Sequence, residues 1–236
     1  MSKKVDRTES IFGKSAPPRA TDILFGGDRE DWQSNACISH WGEFGHAYKS
    51  GFRKAALQLA VEVCNSSSDQ DLLIYPIVYL YRHHIELVLK DIFRSASMLL
   101  GHGVTAKDEN DLGKHDLTSL WDMVRPLLKP VCDIHGVDGL PDEDFDAIAS
   151  YIAQIHDHDP DGQRFRYATV KRKKANAPKG AIEHRRSLGP DLKLINIRVF
   201  ATNLEKLADY LDGLEIWLAD SLEIRFTAER DASAAQ

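Results

Sequence analysis

The 236-residue sequence lacks most of the features that announce a function. Its three cysteines, Cys37, Cys64 and Cys132, are too few and too widely spaced for a disulfide framework, a CxxC redox couple or a cysteine-rich zinc site, and are expected to be reduced core residues. No apolar run approaches the roughly 20 residues that span a bilayer. The longest, 72–81, stops at Arg82, His83 and His84. The first twenty residues have no apolar stretch of the secretory type, so a cytoplasmic protein is expected. GxSxG, P-loop, GxGxxG and HExxH patterns are all missing, which removes the common hydrolase, nucleotide-cradle and metalloprotease signatures, and no motif calls for a cofactor. An overall excess of basic charge is missing too: the formal net charge of −6 argues against a protein that coats nucleic acid with its whole surface.

What is present is a globular composition, 43% hydrophobic and 28% charged, with helical periodicity over most of its length. A first helix is expected from Trp41 to Cys64, burying Phe44, Tyr48, Phe52, Ala55, Leu59 and Val63. A second runs from about Leu72 to Leu100, with Pro76 near its first turn. Gly101 to Lys114 reads as a loop. A short third helix carries Leu117, Leu120, Trp121 and Val124, limited by Pro126 and Pro130. A fourth follows the acidic stretch after Pro141 and buries Phe145, Ile148, Ile152 and Ile155. The segment 160–190, with its FRYATV run, predicts a small hairpin or ordered loop. A last helix carries a stripe from Leu194 through Phe200, Leu204, Leu207, Leu211, Leu214 and Leu218 to about Leu222. With no repeat of 20–50 residues, these add up to an all-α bundle of about five helices with a small β insertion. Residues 1–30 are expected to be a flexible segment, 31–226 the helical domain and 227–236 a disordered tail.

The second helix is apolar around most of its circumference, yet Arg82, His83, Glu86 and Lys90 fall within one arc of roughly 100°. Ions on a central helix need partners or a cleft. Two readings are open. One is an internal ion network, Arg82 with Glu86 and Glu86 with Lys90 at i,i+4, closed by an acid from another helix. The other is a cleft in which Arg82 and Lys90 hold phosphate, His83 is the acid/base and Glu86 orients it.

His115 precedes the third helix, either as a capping-region surface residue or as a further member of such a site. His156 and His158, among aspartates, have a metal reading that consecutive alternating residues in a turn seldom satisfy. The stretch from Arg164 to Arg186 has nine basic residues against Glu183 alone, a local charge of about +8 by formal counting. Arg164, Arg166, Lys171, Arg172, Lys173 and Lys174 would attract phosphates, and Phe165 and Tyr167 would stack on unpaired bases. The alternative is a solvated basic loop.

The words LYRHHIELVLKDI, HDLTSLW and D-x-x-x-QRFRY, in that order on a helical frame, resemble the bacterial HEPN-like proteins over roughly 41–218. The resemblance implies a helical bundle that dimerises, a place in a defence or toxin-antitoxin system with an antitoxin or sensor as partner, and RNA as substrate. Many members are metal-independent ribonucleases that pair an Arg and a His from one helix. The usual motif has four to six residues between that Arg and that His, but the corresponding positions after Arg82 hold Leu87, Val88 and Leu89. The resemblance therefore implies either a variant ribonuclease site built on Arg82 with the adjacent His83 and His84, joined by His115 or Arg166 from elsewhere, or a non-catalytic module that binds nucleic acid, a nucleotide or a protein.

Overall fold

The architecture is that of a computed structural model, which describes residues 19–21, 24–26, 29–38, 45–137, 139–173 and 182–234. The chain divides into two units, Met1–Gly42 and Glu43–Gln236. The first contains a 3₁₀ turn, Trp32–Ser34. Among the described residues the second is a bundle of six helices with one two-stranded antiparallel sheet, the all-α class with a hairpin that the patterning predicts. Its elements are α1 (Gly45–Ser66), α2 (Gln70–Leu99), α3 (Ala106–Leu112), α4 (Leu117–His135), α5 (Asp142–His158), β1 (Thr169–Lys173), β2 (Ile182–Arg186) and α6 (Ile197–Ala234).

The 30-residue α2 is the axis of the body: α1, α4 and α6 pack on it, and α5 packs on α4. Ile77, Tyr81, Ile85, Val88, Leu89, Ile92 and Ala96 of α2 are all fully enclosed, as a helix apolar on nearly every side requires. Pro76 sits in its second turn rather than its first. The amide missing there would have bonded the carbonyl of Leu72, a residue at the exposed start of the helix where water can serve instead.

Four helices differ from the expectation. The buried face of α1 is Lys49, Ala56, Ala60 and Val63, with Arg53 half-buried, while Tyr48 is exposed. The face is rotated because its first turns bury paired cations rather than aromatics, and because two alanines let the backbones of α1 and α2 approach. The expected start of this helix, at residues 41–44, lies outside the described residues.

The segment expected as a loop contains α3. Thr105 and Asp108 close a reciprocal capping box at its start, and Leu112 is buried at its end. Next, α4 continues through both prolines to His135. Asp122, Pro126 and Pro130 lie four residues apart on the solvent side, so the carbonyls deprived of donors face water, while Leu120, Trp121, Val124, Leu128 and Val131 keep the other face buried.

The last helix begins at Ile197, leaving Leu194 exposed, and continues to Ala234, so the segment expected to be a disordered tail is helical as far as it is described. Every residue from Glu223 to Ala234 is exposed. Arg225 closes the end of α2 by donating to the carbonyls of Met98 at 3.0 Å and Leu99 at 3.2 Å. Of the cysteines, Cys132 is buried and Cys64 half-buried, but Cys37 is exposed. Among the described residues no helix is long and apolar enough to cross a membrane.

Candidate functional site

The charged residues of α2 do not all face one way. Arg82, Glu86 and Lys90 form a continuous ladder: Arg82 Nη1 donates to Glu86 Oε2 at 3.0 Å and Lys90 Nζ to Glu86 Oε1 at 2.7 Å. His115, brought in just before Asp116 caps α4, donates from Nδ1 to Glu86 Oε1 at 2.8 Å, and Arg82 Nη2 donates to the His115 carbonyl. The acid closing the network from elsewhere is Asp159, at the C-terminal end of α5. Arg82 Nε donates to its carbonyl oxygen at 3.3 Å and lies 3.3 Å from its Oδ2. Asp159 Oδ1 in turn accepts from the Arg164 amide at 2.8 Å, fixing the turn that leads to the hairpin.

All three nitrogen centres of the Arg82 guanidinium are therefore engaged, and the residue is 3% exposed. Burial works to raise the Glu86 pKa, but the hydrogen bonds and charges of Lys90 and His115 outweigh it and hold the carboxyl below its ordinary value. At Asp159 burial wins, and its carboxyl is pushed up despite the Arg164 amide and the Arg82 charge. Gly162 presses against the guanidinium. It has φ +70°, and a Cβ there would fall 2.7 Å from Arg82 Nη1.

His83 stands apart from this ladder. Its ring meets Phe52 edge-on at 4.6 Å and stacks on Tyr79 at 5.8 Å, beside a small hollow that Lys49 and Asp91 also line. Burial lowers its pKa, with Glu86 opposing only through charge. The Glu86 carboxylate is bonded to Arg82, Lys90 and His115, so it is not the orienter of His83 that the sequence pattern allows. The ladder has the geometry of the internal ion network, with His115 added and His83 left out.

A second charged network has almost no local signature in the sequence. Lys49, 4% exposed, binds Asp91 of α2 and, at 2.6 Å, Glu215 of α6. Burial works against its charge, yet the two carboxylates raise its pKa. One turn on, Arg53 binds Glu205, Asp209 and Asp212. His84 donates from Nδ1 to the Lys49 carbonyl at 3.1 Å, and its Nε2 lies 3.3 Å from Asp212 Oδ1. The only sequence signal was Lys49 and Arg53 at i,i+4 on one helix, opposite acids more than 150 residues away on α6.

The basic segment is built as a hairpin with Thr169 opposite Arg186, Val170 opposite Arg185 and Lys171 opposite His184. Alternation along the strands puts Lys171, His184 and Arg186 on one face with no acid among them, and puts Arg185 and Glu183, which pair with each other, on the other. Arg172 and Lys173 lie within β1, and Lys174 lies outside the described residues. At the root of the hairpin a cavity of about 300 Å³ is lined by Tyr75, Arg164, Phe165, Arg166, Tyr167 and Arg186 among others. The Arg166 guanidinium sits 5.3 Å from the ring centres of both Tyr79 and Tyr167, and Tyr167 is exposed.

His156 Nδ1 lies 3.2 Å from Asp116 Oδ1, on the α4 cap, and no three His, Cys, Asp or Glu side chains among the described residues converge as metal ligands. The ladder and the hairpin root are joined through Asp159 and Arg164, so the three stretches LYRHHIELVLKDI, HDLTSLW and D-x-x-x-QRFRY meet at one place through Arg82, His115 and Asp159. No family model matches the chain. Neither a curated protein nor a solved structure matches it.

Proposed function

We propose that this chain is an HEPN-like helical module that binds single-stranded RNA at the hairpin and its root. The observation that carries the reading is the acid-free face of Lys171, His184 and Arg186 running into a hollow where Arg164 and Arg166 stand among Tyr75, Phe165 and Tyr167. Cations along a groove engage phosphates, and aromatic faces take bases that are not already stacked, which favours a single strand over a duplex. The meeting of the three HEPN-like stretches at Arg82, His115 and Asp159 supports the family half of the reading.

Binding without cleavage is the better-supported form. A phosphate at Arg82 would have to displace Glu86, Asp159 and the His115 carbonyl from an enclosed guanidinium, at a cost of several kcal/mol. The test is fluorescence polarisation with a labelled single-stranded RNA and its duplex over a salt series, followed by denaturing gels of the same mixtures with EDTA present. The single strand should bind more tightly than the duplex. Replacing Lys171 and Arg186 by glutamine should lower the slope of log affinity against log salt by about 0.7 for each phosphate that is no longer neutralised. Absence of binding at low salt sinks the reading, and cleavage that disappears in His115→Ala would restore the ribonuclease in its place.

A further inference from the structure

A cavity of about 440 Å³ in the helical body lies next to the hairpin root and is not part of the site described above. It opens between the C-terminal half of α5 and the first turns of α6, with Val78 of α2 and Phe165 at its back. Its volume is that of a small-molecule site. The walls are apolar and partly aromatic: Ile155, Phe165, Phe200 and Leu204 face the space. The polar groups on it are mostly uncharged. Gln154, Asn196 and Asn203 present carboxamides, each with one end already bonded nearby, Gln154 Nε2 to Ser150, Asn196 Oδ1 to the Val199 amide and Asn203 Oδ1 to Lys206 Nζ. Gln154 Oε1 and the amino groups of Asn196 and Asn203 are the ends left for a ligand, beside the exposed carboxylate of Asp157. The only other titratable lining groups are His158 and the phenol of Tyr151, and no Lys or Arg lines the cavity.

That lining disfavours a phosphate or carboxylate ligand, which would face Asp157 with no lysine or arginine to hold it. It suits a flat, uncharged ring with both donors and acceptors on its edge, stacked against aromatic side chains. Phe165 connects the cavity to the RNA-binding surface, because its ring lines both this space and the arginine-rich hollow formed by Arg164 and Arg166. A strand whose phosphates lie on those arginines runs beside the cavity, with Phe165 as the wall the two spaces share.

We propose that this cavity receives one unstacked nucleobase of the strand bound at the hairpin, and that Asp157 selects a base carrying an exocyclic amino group. The inference rests on the RNA-binding reading. In its geometry the carboxylate accepts from the amino group of cytosine, adenine or guanine, the carboxamides complete the edge, and uracil, which has no amino donor, is the poorest fit. Extruding one base from a single strand costs little, since there is no pair to break.

The full chain is titrated with adenosine, guanosine, cytidine and uridine by saturation-transfer NMR, and in parallel with the labelled single-stranded RNA. At least one amino-bearing nucleoside should saturate below about 10 mM, with uridine weaker by roughly fivefold or more. Asp157→Ala, at an exposed position, should erase that preference, and Asn203→Phe should block nucleoside binding by filling the space. The Lys171→Gln, Arg186→Gln pair should leave nucleoside binding unchanged while weakening the RNA. RNA binding with no saturable nucleoside binding, or nucleoside binding that ignores both Asp157→Ala and Asn203→Phe, overturns the base pocket alone. Nucleoside binding without RNA binding overturns the strand-bound pocket together with the RNA reading.

Discussion

The Cα of Gly162 rests on the guanidinium of Arg82, at a separation that leaves no room for a methyl group: a Cβ there would come within 2.7 Å of Nη1 and 3.0 Å of Cζ. This packing fastens the turn after α5 to the central helix. The arginine it rests on is held in place by bonds to Glu86, Asp159 and the His115 carbonyl, so it cannot swing away at low cost.

Gly162→Ala should therefore be more disruptive than an ordinary exchange of these two residues. The left-handed backbone alone costs an alanine about 1 kcal/mol, and displacing the guanidinium from its partners adds about 1–3 kcal/mol. Urea denaturation should show a loss of about 2–4 kcal/mol. An unchanged midpoint would mean that the turn can move away from Arg82 freely.

Glu86 supplies a pH signature. Its folded carboxyl titrates below the ordinary value of 4.5, so the folded state binds fewer protons there than the unfolded chain. The stability it contributes is complete above that value and is lost as pH falls through the folded pKa. Glu86→Gln should cost about 3 kcal/mol at neutral pH by leaving Lys90 and Arg82 under-compensated. The gap between variant and wild type should narrow as pH drops below about 4.5, measured by denaturation at a series of pH values. A gap that stays constant to acid pH would show that Glu86 does not carry the charge assigned to it.

His83 acts in a higher window. Burial against Phe52 and Tyr79 depresses its folded pKa below 6.5, so the neutral ring is the one the fold prefers. Its contribution is present above the unfolded value and falls away as pH drops through the folded one. His83→Phe should flatten the stability profile just below pH 6.5 while leaving the Glu86 transition in place. NMR titration of the imidazole checks the direction, and a pKa above 6.5 would refute it.

Lys49 tests what the second network is worth. Its partners are partly open to solvent, with side chains 31% and 18% exposed for Asp91 and Glu215, so breaking the pairs should cost less than a fully enclosed triad. Lys49→Met is expected to lose about 2 kcal/mol. Adding Glu215→Leu, which removes an acid left without its cation, should recover at least half of that. A further loss in the double variant would show that the pairs stabilise on balance.

What was legible in the sequence follows from the range of the interactions. The Arg82, Glu86 and Lys90 ladder could be read from spacing alone, since i,i+4 neighbours on a helix meet wherever the helix lies. Asp159, which completes it from 77 residues away, stands in the sequence among Asp157 and Asp161 before two arginines, a pattern that fits a salt-bridged turn as well as a contact to the ladder, so spacing alone does not single it out. His83 was placed with the ladder by its angle on the helical wheel, but aromatic neighbours on α1 and α2 claimed its ring. On α1 the apolar pattern points to Tyr48 and Phe52, whereas two cations held in long-range ion pairs and two alanines set the face that packs. The α3 signal was present and local: Thr105 and Asp108 have the spacing of a capping box, but the polar composition around them hid it. Prolines 126 and 130 read as stops because a sequence does not show that both will face water.

The last helix joins two very different environments without a break. At Leu211 and Leu218 it is sealed in the core, whereas from Glu223 to Ala234 every side chain is exposed, and Arg225 ties that stretch back to the end of α2. An isolated helix of twelve or so residues is marginal in water. Backbone amides along this one element should therefore exchange with deuterium over a wide span of rates, quickest near Ala234, slower at the Arg225 tether and slowest beside Leu211, where opening requires the whole protein to unfold.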